Sequence, residues 1–159
     1  GASGGDATAQ NRTSGTDVPV QAITQSELGM LMKSISAFVS ELPKVEFGDT
    51  ATRASRLLSW RAAVSQAVHP AGPHLIQWWQ WVQREAEGAH KQFLAASIHH
   101  RESIIPTAEV PQPWLQLESW MRPKLLEILP KEIRDWVNMR ARQGTIYPSH
   151  VLVFYLMKN

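Results

Sequence analysis

His99 and His100 stand side by side in "SIHHRES", next to Arg101 and Glu102, and raise the question of metal or acid–base chemistry. A metal needs ligands that converge, whereas adjacent histidines in a loop point apart, and no further ligands sit at helical spacing near them. His69, His74, His90 and His150 are scattered, and none falls in an HExxH frame. The stretches "HKQF" and "RESI" do not form a nucleophile elbow, no glycine-rich loop is present to cradle phosphate, and no serine, histidine and aspartate show a triad pattern above chance. With no cysteine, the chain lacks disulfides, thiolate zinc sites, iron–sulfur clusters, cysteine nucleophiles and the zinc knuckle used for RNA. The expectation is therefore no enzyme, no metal and no cofactor.

Composition narrows the class further. A chain of 159 residues with 43% hydrophobic content, 19% charged content and seven tryptophans fits one globular domain with a core of its own. Sixteen basic residues against fourteen acidic ones leave a net charge of +2, too balanced for a dedicated phosphate-binding surface. No stretch approaches the roughly 20 apolar residues of a membrane span, and no signal peptide opens the sequence, so an intracellular, cytoplasmic protein without a membrane partner is expected. Arginines do cluster: Arg53, Arg56 and Arg61 on one predicted helix, and Arg134, Arg140 and Arg142 with Lys131 on another. Glu132 and Asp135 dilute the second group, which favours a solvated face over RNA or DNA contact.

The elements that would position any site are helical throughout. Residues 1–22 are rich in Gly, Ser, Thr, Ala and Asp and predict a disordered leader, with a single all-α domain of about five or six helices over 23–159. From Thr24, which forms a capping box with Glu27, Leu28, Leu31, Met32, Ile35, Phe38 and Val39 recur at spacings of three and four, up to a stop at Pro43. An extended linker "LPKVEFGD" follows, with Asp49 or Thr50 as the cap of a second helix over about 52–68 that puts Leu57, Trp60, Val64, Ala67 and Val68 on one face. Pro73 opens a third helix to about Ala95. A fourth from near Pro113 carries Trp114, Leu117, Met121, Leu125 and Ile128 on one side, with a kink or break predicted near Met121 because Pro123 lies inside it. Pro130 opens a fifth helix that ends at Gly144, and Ser149 caps a sixth, whose apolar "VLVFYL" either packs into the core or awaits sequence beyond Asn159.

The third helix holds the sharpest residue-level question, in "HLIQWWQWVQREAEGAHKQF". At roughly 100° per residue, Leu75, Trp78, Trp79, Val82, Ala86, Ala89 and Phe93 fall within about 50° of one direction. Trp60, Trp78, Trp79, Leu117 and Leu125 are therefore the predicted core. Trp81 sits about 110° off that stripe, on a flank with Glu85, Gly88 and Gln92. Another helix could cover it, or it could be part of a docking surface, since tryptophan is favoured at interface centres. Trp120, at the edge of the fourth stripe, poses the same alternative, and the two form the candidate interaction surface.

The order of these landmarks resembles the Gag region of copia-type LTR retrotransposons, in the Trp-rich variety found in protist Gag–Pol polyproteins. It is carried by Leu42 and Pro43 ahead of a helix with a central Trp60, the Trp78–Trp79 pair, Ser97 through Pro106 ending in an I-x-P step, and the Leu129–Pro130 junction. It covers roughly Leu42 to Asn159. The "HHRES" turn is more His-rich than is usual in that family, and the chain stops at "FYLMKN" where family members continue into further capsid sequence and a Cys/His knuckle. The resemblance implies a capsid N-terminal-type domain that assembles particles with copies of itself through weak, repeated contacts, as an excised domain or a domesticated derivative. Any RNA partner is expected through regions absent from this chain. A helical nucleic-acid-binding or protein-adaptor module is the alternative.

Overall fold

Thr24 and Glu27 close the first helix reciprocally: the Thr24 N–H donates to Glu27 Oε1 at 3.0 Å, and the Glu27 N–H donates to Thr24 Oγ1 at 3.2 Å. In this computed structural model, which describes residues 20–38, 42–46 and 48–159, helix α1 runs Gln25–Phe38 and buries Leu31 and Ile35. Residues 1–19, most of the predicted leader, lie outside the described residues, as does Val39, while Val20 already rests against the core. Helix α2 spans Arg53–Val68. Asp49 accepts hydrogen bonds from the Thr52 N–H at 3.0 Å and the Thr52 hydroxyl at 2.9 Å. It thus closes the turn leading into α2 instead of capping the helix itself.

A 3-10 turn, His69–Ala71, leads to Gly72 at φ 100°, a conformation that disfavours any side chain, and Pro73 then opens α3, Pro73–Ala95. A single turn, α4 (Ile98–Arg101), stands where the sequence suggested only a loop. After an irregular stretch, the 3-10 turn Gln112–Trp114 leads into α5, Leu115–Ile128, followed by α6, Lys131–Arg142, and α7, Ser149–Lys158. Among the described residues there are thus seven α-helices and no strand, and the all-helical class predicted from the sequence holds.

Two local expectations are corrected. Of the kink or break predicted near Met121, the break is absent: α5 is continuous, with Pro123 on its exposed side and the Ser119 carbonyl that loses its i+4 donor on an exposed residue open to water. Ser149 does not cap α7, since Pro148 holds the cap position and Ser149 is the first helical residue.

Helix α3 forms the axis of the core, and α7 packs against it over most of its length. The α7 residues from Ser149 through Phe154, and Leu156, are buried, so "VLVFYL" packs into the core, as a helix apolar on all sides must. Trp60, Trp78, Trp79, Leu117 and Leu125 are all buried, and Trp60 meets Trp79 edge to face at 5.8 Å. The segment 42–46 is pinned along this core by Trp60 Nε1–H donating to the Pro43 carbonyl and by the Val45 N–H donating to the Ile128 carbonyl, both at 2.9 Å.

Candidate functional site

His99 and His100 are exposed on the short helix α4, and among the described residues no three His, Asp or Glu side chains gather as a metal would require. Arg101 turns away from them, its guanidinium 5.2 Å from the centre of the Phe93 ring and its Nε–H donating to the Ala96 carbonyl.

Trp81 is half-buried, its ring 4.7 Å from that of His150 and 5.9 Å from that of Trp114. The flank of α3 is thus covered from within the chain by α7 and by the turn that opens α5. Trp120 is likewise half-buried and packed against the core. Both tryptophans make contacts within the chain, and the most exposed large apolar side chains are Ile98 at 79%, Met30 and Ile146 at 68%, Leu58 at 63% and Leu94 at 58%.

The arginine clusters are engaged within the chain. Arg61 on α2 bonds Gln83 and Glu87 on α3, and Arg56 donates to the Thr52 hydroxyl. On α6, Arg134 donates to the Glu127 carbonyl, Arg140 to the Tyr147 hydroxyl, and Lys131 pairs with Asp135 at 2.6 Å. These bonds tie Arg56, Arg61, Arg134 and Arg140 to groups of the same chain.

The least expected constellation is internal. Glu118 is 7% exposed, with Oε1 accepting from Trp78 Nε1–H at 3.1 Å and Oε2 accepting from both the Ser149 N–H at 2.8 Å and the Ser149 hydroxyl at 2.9 Å. A carboxylate from α5 therefore satisfies the N-terminus of α7 across the core. Beside it lies Arg122, whose pKa is lowered by burial and supported by Glu118, and which donates to the Tyr147 carbonyl. A signal for this node stands in the sequence: Glu118 falls four residues after Trp114 and three before Met121, in the middle of an apolar stripe.

The second buried polar group is His150. Its Nε2 lies 2.7 Å from the Ala108 carbonyl, which can only accept, so Nε2 carries the proton and Nδ1 is the lone-pair atom. Nδ1 is buried without a protein partner, and so is the Nε1–H of Trp114. Burial pushes the His150 pKa below its ordinary value, against the bond to Ala108 and the charges of Glu118 and Glu85. The hydrogen bonds of Glu118 and His150 tie α7 to α5 and to the segment around Ala108.

Comparison with family models, with known proteins and with solved structures finds no match to this chain.

Proposed function

We propose that the protein is a structural helical unit of capsid type that associates with copies of itself, as the resemblance to retrotransposon Gag implies. The observation that carries the reading is the exposed apolar corner where α3 passes into α4, with Leu94 58% and Ile98 79% exposed on consecutive elements. Two large aliphatic side chains held in water by adjoining helices favour contacts that remove them from it. Weak contacts of this kind, repeated by symmetry, suffice to build a shell without any catalytic residue. The corner also carries Lys91 and Arg101, so association of like copies is opposed by charge and should strengthen as salt screens that repulsion and favours apolar burial.

Sedimentation equilibrium of the whole chain over rising concentration and salt tests the proposal, together with electron microscopy of the concentrated protein. Association that persists or strengthens in high salt, and that is reduced about tenfold by Ile98→Glu without a change in melting, is the expected result. A strictly monomeric chain at the highest concentration, or association that collapses as salt rises in the manner of phosphate binding, would overturn it.

A further inference from the structure

Between α4 and the 3-10 turn at Gln112, residues 105–110 run without regular structure, and among the described residues they make a single hydrogen bond to the rest of the chain. That bond joins the Ala108 carbonyl to His150 Nε2 at 2.7 Å. The segment is otherwise held by Ile105 and Val110, both only partly buried against the core. His150 stands in the first turn of α7 at 0% exposure, and its Nδ1 is buried without a partner. A proton taken up at Nδ1 would create a buried donor with nothing to receive it, and a positive charge at the positive end of a helix dipole. Around the imidazole, α3 supplies Glu85, α5 supplies Glu118 with Arg122 beside it, and the segment itself carries Glu109. Glu85 and Glu118 favour the proton by their charge, but the Glu118 oxygens are already bonded to Trp78 and Ser149.

We propose that the His150–Ala108 bond is an acid-released latch: on acidification residues 105–110 lift from the core while α3, α5 and α7 stay folded. A charged imidazole is stabilised only if water reaches Nδ1. Lifting the segment gives up one hydrogen bond and the partial burial of Ile105 and Val110, whereas withdrawing α7 would also give up Leu152, Phe154 and Leu156 from the core. The local opening is the less costly route. Burial holds the closed imidazole below its ordinary pKa of 6.5, and the open form is free of that burial. The open form therefore binds the proton more readily and gains population as pH falls below about 6.5. Acid would thus present Ile105 and Val110, an apolar segment that neutral pH keeps down. The device rests on the interior alone and is independent of self-association.

The test is an NMR titration of the full, isotopically labelled chain from about pH 7.5 to about pH 5, across the range in which histidine titrates. The ring nitrogens of His150 report its protonation directly, and backbone order parameters report the segment. Order parameters over 105–110 should fall from about 0.85 to below about 0.6 with the midpoint of the imidazole, while those of α3, α5 and α7 stay near 0.85. His150→Gln, which can donate to the Ala108 carbonyl but cannot take up a proton, should hold the segment closed throughout. A protonated imidazole beside an unchanged segment, or a segment already mobile at neutral pH, would overturn the proposal. So would an imidazole that never titrates in the folded chain, or loss of all the helices together. Loosening that persists in His150→Gln would assign it to Glu85, Glu109 or Glu118 and overturn it too. Should that variant fail to fold, the unaltered chain still decides, because the two midpoints either coincide or do not.

Discussion

Glu118→Ala should be among the most damaging single changes in this protein. It removes the acceptor for two donors fixed in buried positions, Trp78 Nε1–H and the Ser149 N–H, while the Ser149 hydroxyl can rotate elsewhere. A buried donor left without a partner costs about 1–3 kcal/mol, and loss of a carboxylate from a helix N-terminus adds about 0.5–1 kcal/mol. With two such donors the sum is about 2.5–7 kcal/mol, a large part of the roughly 5–15 kcal/mol that holds a domain of this kind together. Urea unfolding followed by tryptophan fluorescence and far-UV circular dichroism should show the midpoint falling sharply with little change in slope. Glu118→Gln keeps one acceptor oxygen but sets an amide N–H₂ against a donor, so about half the loss is expected. Pairing Glu118→Ala with Ser149→Ala should recover a coupling of about 1 kcal/mol, because the hydroxyl bond is then counted once. A loss below about 1 kcal/mol for Glu118→Ala would mean that water satisfies these donors, and would refute the reasoning.

Trp81→Ala should lower stability by about 2–4 kcal/mol and leave sedimentation unchanged, because its ring packs on Trp114 and His150; unchanged melting with weakened association would return it to the docking surface. His150 has a folded pKa below its ordinary 6.5, so the unfolded chain binds the proton more readily: its contribution is fully present above about pH 6.5 and is lost as pH falls below that value, with His90 acting in the same direction. His150→Phe should flatten the fall in urea midpoint between about pH 6.5 and 5, and an unaltered slope would assign it to other groups. Glu27, held down to about 2 first by its bond from the Thr24 backbone and then by His74, contributes stability that is present above about pH 4.5 and lost as pH falls toward 2. Hydrogen exchange at the start of α1 should therefore quicken over that acid range in the native chain but not in Glu27→Gln, and identical profiles would contradict this.

Helical period was enough to reveal most of the architecture. The Thr24–Glu27 box, the limits of α3 at Pro73 and Ala95, and the burial of Trp78 and Trp79 follow from local rules that tertiary contacts reinforce. What period cannot supply is the identity of the neighbour. The angular position of Trp81 on α3 was readable, yet its cover comes from Trp114 and His150, which lie tens of residues away in sequence. Ser149 reads locally as a cap, but Pro148 takes that position and the anion at the helix end arrives from α5. Pro123 reads as a breaker because propensity ignores which side of the helix faces water.

The disposition of polar groups also bears on where function can reside. Helix α7 is apolar over nearly its whole surface, and such a helix can slide or rotate within a core at little cost in apolar burial. Glu118 at its first residue, and the Ala108 carbonyl at His150 one residue on, remove that freedom, because a one-residue shift would take both Ser149 donors from the carboxylate, leaving it only Trp78, and would leave the buried imidazole without its partner. The fold thus spends its buried polar chemistry on the register of one helix. The large exposed apolar side chains, among them Leu94, Ile98 and Leu58, lie on the exterior, away from this buried network.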